Sequence, residues 1–151
     1  MRFWDSSALV PLLVEEETTA SLDRLASDGR EIAVWWGSEI ECASAIARLE
    51  RSQDLTTSDC QAVFEYLEEL SKSWYQIDPI NAVKSAARRF LRVHDLRAAD
   101  SLQLAAALAA AEGQPPSLEF VCLDERLVTA ARREGFRVID RQRLQPASSE
   151  S

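Results

Sequence analysis

Short apolar segments alternate with longer segments of helical period along almost the whole chain. The segments EIAVWW and LEFVCL are typical of buried strands, and the residues after each of them have a helical pattern. Strands that alternate with helices form βα units, whose strands lie parallel in one sheet. This alternation predicts an α/β domain with a mostly parallel sheet of about five strands. The predicted strands are 2–5, 31–36, 75–78, 118–123 and 137–140, and the predicted helices are 7–16, 18–28, 38–51, 56–74, 79–94, 98–112 and 124–134.

The length and composition of the chain predict a single domain. With 151 residues, 46% of them hydrophobic, the chain can bury one ordinary core. We assign residues 1–141 to that domain. The remaining residues, 142–151, end in PASSES, a composition that predicts a flexible tail.

The net charge of the chain is acidic. Lys and Arg total 17 against 25 Asp and Glu, a formal net charge of −8. Such a chain has no overall positive field to attract nucleic acid or an anionic membrane, so any polyanion must be bound by a local feature. Only Lys72 and Lys84 are lysines, and the other basic residues are arginines, which suit bidentate contacts to phosphate.

Several classes of protein are disfavoured by what the chain lacks. Cys42, Cys60 and Cys122 are odd in number and widely spaced, which favours neither a disulfide framework nor a cysteine zinc site. We find no signal peptide and no apolar run long enough to span a bilayer, so a cytoplasmic protein with no membrane contact is expected. A Gly-rich phosphate loop, a GxSxG motif and a CxxC motif are also missing.

Acidic residues follow the predicted strands or begin the predicted helices. Ligands of open α/β sheets bind beyond the carboxyl ends of the strands, so these acids are candidates for one site. Each also has a structural explanation as a helix cap, and Ser38 with Glu41 fits the S-x-x-E capping box, as Asp100 with Gln103 fits a weaker version of it. The six candidates are Asp5, Glu41, Asp78, Asp100, Asp124 and Asp140.

Asp100 is the hardest of these acids to explain as a cap alone. A buried carboxylate must become neutral, pair with a cation or bind a metal, and Arg97 is an available partner. If several of the acids meet, oxygen ligands without His or thiolate favour Mg²⁺ or Mn²⁺. His94, the only histidine, is expected to pack or to cap carbonyls. The apolar stripe that Asp100 shares contains Leu104, Ala107, Leu108 and Ala111.

Four segments of the chain resemble the PIN-domain ribonucleases, and especially the VapC-type toxins of toxin–antitoxin pairs. They are FWDSSALVPLL, SEIECASAIARLE, LRAADSLQLAAAL and FVCLDERLVTAARREGFRVI, and their order and spacing agree with that family. The resemblance implies a three-layer α/β/α domain in which four of the acids form one pocket for Mg²⁺, with Mn²⁺ as a substitute. It leaves Asp78 as a cap and Asp140 as a strand-end residue. The implied catalytic and metal-binding residues are Asp5, Glu41, Asp100 and Asp124, with Ser6, Ser7 and Arg97 in support.

The resemblance also implies a function and partners. The expected activity is metal-dependent hydrolysis of RNA phosphodiester bonds, which leaves 5′-phosphate and 3′-hydroxyl ends. The expected partners are a second copy of the chain and an antitoxin whose helical segment packs on the toxin and reaches the acidic pocket with an arginine. The amphipathic helices near 18–28 and 38–74 are candidate surfaces for these contacts. Candidate arginines for holding the RNA are Arg48, Arg51, Arg97 and Arg126.

The chain departs from that family at two places, and other classes remain as alternatives. Trp35-Trp36-Gly37 and Cys122-Leu123 stand where relatives often carry small hydroxyl residues. A non-catalytic PIN-like module that binds RNA or protein is the main alternative. A receiver domain is disfavoured because no lysine follows Lys84, and a haloacid-dehalogenase-like phosphatase because Ser7 stands where Asp-x-Asp needs its second aspartate.

Overall fold

Five short strands form one sheet in the computed structural model, which describes residues 1–145. All of the strands are parallel, in the order β3-β2-β1-β4-β5, so β1 is central and pairs with both β2 and β4. The predicted α/β class and the five-stranded sheet are therefore confirmed. The strands are β1 (Arg2–Trp4), β2 (Ile32–Trp35), β3 (Tyr75–Ile77), β4 (Glu119–Val121) and β5 (Arg137–Ile139).

Helices connect the strands and cover both faces of the sheet. Phe3 of β1 lies in a core with Leu104, whereas the next residue, Trp4, lies in a second core with Leu9. A central parallel strand is thus buried on both faces, and the three-layer α/β/α architecture is confirmed. The helices are α1 (Ser6–Leu13), α2 (Thr19–Ala26), α3 (Ser38–Arg51), α4 (Thr57–Ser71), α5 (Asn81–Val93), α6 (Ala98–Ala110), α7 (Glu125–Arg133) and α8 (Arg141–Leu144).

One predicted helix start, at Pro79, and two predicted caps, Asp78 and Ser38, are wrong. The helix expected from Asp78-Pro79 begins at Asn81, because the Ile80 N–H bonds the Asp78 carbonyl at 2.9 Å and closes a turn that keeps this segment out of the helix. Ser38 is not a cap, since Gly37 occupies the N-cap position of α3. The hydroxyl of Ser38 is buried and accepts a hydrogen bond from another helix.

The carboxyl-terminal segment is only partly described. Residues 141–144, most of which fall in the predicted tail, form α8, whose first turn is capped by the Asp140 carboxylate. Residues 146–151 of that predicted tail lie outside the described residues. Among residues 1–145, no helix combines the length and the apolar character that crossing a membrane requires.

Candidate functional site

The carboxyl edge of the sheet carries the candidate acids. Asp5 follows β1 and Asp124 follows β4, and these strands are paired, so the Asp5 N–H donates to the Val121 carbonyl at 3.0 Å. Glu41 lies in the first turn of α3, directly after β2, and Asp100 lies in the first turn of α6. Electrostatic coupling links Asp5 to Glu41 and Asp100, and Asp100 to Asp124. The fold therefore brings the four acids to one region.

Asp5 is the most buried of the four acids. Its side chain is 4% exposed and caps α1, where the Ser7 N–H donates to Oδ2 at 3.1 Å. Burial raises the pKa of Asp5 to about 6, against the opposing effect of the Ser7 hydrogen bonds, and Glu41 and Asp100 raise it further. The free-energy cost of burying a carboxylate, expected from the sequence at Asp100, is therefore largest at Asp5.

Ser7 and Cys122 hold the polar environment of Asp5. The Ser7 hydroxyl accepts the Leu123 N–H at 2.9 Å, which ties α1 to the end of β4. The Cys122 Sγ lies 3.6 Å from Asp5 Oδ2 and 3.6 Å from the Asp124 carbonyl. Burial raises the pKa of the Cys122 thiol well above its usual value, so the thiol keeps its proton and acts as a weak donor, in the place of the hydroxyl that relatives often carry. Ser6, also predicted as a supporting residue, is half-buried and is the first residue of α1.

Asp100 is half-buried at the start of α6. Its Oδ2 accepts the main-chain N–H of Arg97 at 3.3 Å, so it acts as a cap. The alternative in which Arg97 neutralises Asp100 does not hold: within residues 1–145, the Arg97 guanidinium makes no ion pair with Asp100. Burial raises the pKa of Asp100, its hydrogen bond with Arg97 lowers it, Asp124 raises it, and the charges of Arg97 and Arg126 lower it.

Asp124 caps α7 and shares an open cleft with Asp100. The Leu127 N–H donates to Asp124 Oδ1 at 3.0 Å. Glu125, the residue after Asp124, is a third acid of this cleft. Its lining residues are Arg97, Ala99, Asp100, Asp124, Glu125 and Arg126.

Glu41 is held by a residue that the sequence analysis missed as a site residue. Gln103 of α6 is 1% exposed, and its Nε2 donates to Glu41 Oε2 at 2.8 Å and to Ser38 Oγ at 2.9 Å. Its Oε1 is buried without a hydrogen-bond partner among residues 1–145. The sequence signal for this role is a glutamine three residues after Asp100 in an otherwise Ala/Leu-rich helix, a spacing that also fits a weak capping box.

Each of the four carboxylates accepts hydrogen bonds through one oxygen and leaves the other without one among residues 1–145. Oxygen atoms fixed in this way are the donor set that Mg²⁺ and Mn²⁺ prefer, and the hydrogen bonds would orient them as ligands. In the described part of the chain, no three His, Cys, Asp or Glu side chains stand close enough together to enclose a metal ion. Ionised carboxylates repel one another, and a bound cation would remove that repulsion. The chemistry of the donor set therefore fits a hard divalent cation.

The remaining candidate residues lie outside this arrangement. Asp140 caps α8 and pairs with Arg132 at 2.8 Å. His94 ends α5 and is buried, with Nε2 3.6 Å from a Glu134 carboxylate oxygen. Arg48 and Arg51 lie in the last turn of α3, at the opposite end of that helix from Glu41.

Gly37, at the start of α3, lies against the indole of Trp35, where a side chain would not fit. A Cβ at Gly37 would lie 2.7 Å from the Trp35 indole Nε1, closer than real contacts allow. Trp35 is buried, whereas Trp36 is 53% exposed. The unusual Trp-Trp-Gly segment thus forms a tight connection between β2 and the helix that carries Glu41.

The chain is similar in sequence to two curated ribonucleases over nearly its full length. Ribonuclease VapC45 of Mycobacterium tuberculosis (strain CDC 1551 / Oshkosh) is 33% identical over 143 residues, which is 93% of this chain and 95% of the relative. Ribonuclease VapC49 of Mycobacterium tuberculosis (strain ATCC 25618 / H37Rv) has the same identity and coverage. No family model matches the chain.

Two solved structures share the fold. FitAcB from Neisseria gonorrhoeae superimposes with a TM-score of 0.65 at 15% identity, over 92% of this chain and 96% of that chain. FitAB bound to an IR36 DNA fragment gives a TM-score of 0.65 at 15% identity, over 97% of each chain. At this identity the similarity concerns the arrangement of helices and strands.

Proposed function

The chain belongs to the VapC family of PIN-domain ribonucleases, and we propose that it is a divalent-metal-dependent endoribonuclease, the toxin of a toxin–antitoxin pair. The observation that carries the metal-dependent step is the set of four carboxylates at one edge of the sheet. One oxygen of each carboxylate accepts a hydrogen bond from the protein, and the other oxygen is available to bind a metal ion. Asp5, Glu41, Asp100 and Asp124 are the proposed catalytic and metal-binding residues.

The residues have separate tasks in the proposed reaction. Asp5 and Asp100 would bind the ion directly, and Asp124 would complete the set. Glu41, whose carboxylate is held by Gln103, would position the attacking water or bind a second ion. A bound Mg²⁺, or Mn²⁺ in its place, would lower the pKa of the water and neutralise charge on the phosphate. In the overall hydrolysis, the water oxygen bonds to phosphorus, the bond to the 3′-oxygen breaks, and the proton that the water loses is balanced by the proton that the 3′-oxygen takes up. The products carry 5′-phosphate and 3′-hydroxyl ends.

The function is tested by replacing Asp100. We expect Asp100→Asn to lower the rate of RNA cleavage at least about 100-fold. Removing a residue that only hydrogen-bonds a metal ligand lowers activity by up to about 100-fold, and removing the ligand itself should cost more. The asparagine still accepts the Arg97 N–H, so α6 keeps its cap. The measurement is cleavage of a panel of structured RNAs in Mn²⁺ or Mg²⁺, with the product ends identified by mass spectrometry.

Asp140→Asn is the matched control, because Asp140 also caps a helix but lies at the end of β5. It should cleave the RNA panel as the wild type does. Equal cleavage by Asp100→Asn and wild type in preparations free of other nucleases would refute the metal-ligand role and favour a non-catalytic binding module.

Gln103 is tested as a positioning residue for Glu41. We expect Gln103→Leu to lower the cleavage rate about tenfold and to raise the Mn²⁺ concentration needed for half-maximal rate, because Glu41 loses its only side-chain hydrogen bond among the described residues. The KM for RNA should stay unchanged. Gln61→Leu, at an exposed glutamine of α4, is the control. An unchanged Mn²⁺ requirement in Gln103→Leu contradicts the positioning role.

We also propose a homodimer and a cognate antitoxin as protein partners, with action in the cytoplasm on RNA. Exposed apolar side chains supply surface for such contacts, since Ile40 is 70% exposed and Trp36 53% exposed beside the helix that carries Glu41. The three cysteines are free and buried, which agrees with a reducing compartment.

A further inference from the structure

Helix α5 carries a concentration of positive charge on an otherwise acidic chain. Its sequence, NAVKSAARRFLRV, contains four basic residues and no acid, in a chain whose net charge is −8. Arg89 is neutralised by Glu134 at 3.3 Å and lies over the Phe90 ring. The other three basic residues are exposed and make no ion pair within residues 1–145. They are Lys84, Arg88 and Arg92, called here the α5 basic stripe.

The stripe lies on one face of the helix. Its residues are spaced by four positions, which places them on the same side at steps of about 6 Å along the axis. The opposite face, with Val83, Ala87 and Phe90, is buried in the core. Like charges four residues apart destabilise a helix, and no acid on α5 offsets them. Packing explains the buried face of α5, but it gives no reason for the positive one.

Helix α5, which carries the stripe, is the neighbour of the helix that carries Asp100. Helix α5 packs against α6, and residues 94–97 join the end of α5 to the start of α6. Arg92 is the stripe residue nearest in sequence to Arg97 and Asp100, whereas the end of α5 contacts Glu134, which ends α7. Arg97 and Arg126 line the cleft that holds Asp100 and Asp124. Basic side chains therefore occur both at the acidic cleft and on the outer face of α5.

We propose that the α5 basic stripe binds consecutive phosphates of a single-stranded RNA outside the acidic cleft. The identity of the polymer rests on the proposed function. The steps of about 6 Å are of the same order as the spacing of phosphates in an extended strand. The arginines suit bidentate contacts to phosphate. Leu91 and Val93 are exposed, with Leu91 at 43% and Val93 at 57%, and they line the same groove as Arg88 and Arg92, giving sugars and bases an apolar surface.

The test is binding of a fluorescein-labelled 2′-O-methyl oligouridylate to the full-length protein in EDTA, measured by fluorescence anisotropy across a KCl series. The variant is Lys84→Gln/Arg88→Gln/Arg92→Gln. We expect its affinity at low salt to fall about tenfold or more, and the slope of log Kd against log salt to fall by about 2, because each phosphate contact on a single strand contributes roughly 0.7 to that slope. The midpoint of urea unfolding should stay the same or rise, since like-charge repulsion on α5 is removed.

The matched control is Arg24→Gln/Lys72→Gln/Arg133→Gln, which changes net charge by the same amount at three exposed positions on other elements. Its salt slope should equal that of the wild type. Equal salt slopes for the two triple variants would overturn the proposal. A stripe variant that binds RNA as the wild type does but differs in mass by sedimentation velocity would also overturn it, because the stripe would then serve contact between copies of the chain. The binding assay contains no metal and does not depend on cleavage. If the wild-type protein cleaves no RNA but the stripe variant still loses oligonucleotide binding, the proposed function is refuted and the proposed role of the stripe is supported.

Discussion

Without metal, the Asp5→Asn variant is expected to be more stable than the wild-type protein near neutral pH, although it cleaves RNA roughly 1,000-fold more slowly. The loss of rate follows from removing the most buried of the proposed ligands of an ion whose charge stabilisation would be worth several kcal/mol. The gain in stability follows from the raised pKa of Asp5, about 6 against an ordinary 3.8. Asparagine keeps the cap of α1, because it still accepts the Ser7 N–H.

The sign of the pH dependence is set by proton binding. Between pH 3.8 and about 6 the folded Asp5 holds a proton that the unfolded chain has released, so the wild type loses stability as the pH rises through this window. Above it, the ionised carboxylate costs the folded state about 3 kcal/mol, on the order of two pKa units. Asp5→Asn should therefore exceed the wild type by about that amount near pH 7.5 and by little near pH 4.

The measurement is urea unfolding in EDTA, followed by tryptophan fluorescence at both pH values. Asp28→Asn is a control of opposite sign, because the hydrogen bond from Arg2 lowers the pKa of Asp28, so this variant should lose stability near neutral pH. Added Mn²⁺ should raise the Tm of the wild type and leave that of Asp5→Asn unchanged. A stability difference between Asp5→Asn and wild type that is the same at both pH values contradicts an ionised, buried Asp5.

Phe120→Ala is expected to lower the free energy of unfolding by about 3–5 kcal/mol, the range for deleting a buried aromatic side chain. Phe120 of β4 is fully buried and stacks on Phe3 at a centroid distance of 5.3 Å, with Phe136 at 5.6 Å. Because natural domains have about 5–15 kcal/mol of stability in total, this variant should be partly unfolded at physiological temperature. The measurement is urea unfolding at neutral pH.

Tyr66→Ala is the matched control for an aromatic side chain, because Tyr66 lies on α4 and is 49% exposed. A change within about 0.5 kcal/mol is expected for it. Similar losses in the two variants would show that contact between the aromatic rings of β1 and β4 does not anchor the centre of the sheet.

Much of the candidate site could be predicted from strand ends and from the resemblance. Asp5 and Asp124 lie together because they follow paired parallel strands, and Glu41 lies in the first turn of the helix after β2. Asp100 lies in the first turn of α6, which follows no strand, so the resemblance and not the strand-end rule assigned it to the site. The Gln103 hydrogen bond to Glu41 could not be predicted, since it joins α3 to α6 across 62 positions of sequence. The spacing of Ser38 and Glu41 favours a local capping box, but in the structure the Ser38 hydroxyl accepts a hydrogen bond from Gln103 and does not cap α3.

By itself, the sequence determined the α/β class, the five strands and the acids at their ends. These are local properties, set by the period of the apolar residues and by the position of polar residues after each strand. Only the tertiary structure decided that the carboxylate buried most deeply is Asp5 and not Asp100, that Arg97 offers Asp100 a main-chain N–H and not an ion pair, and that Lys84, Arg88 and Arg92 form one exposed face. Burial and pairing depend on which elements pack against one another, and no local pattern of residues contains that information.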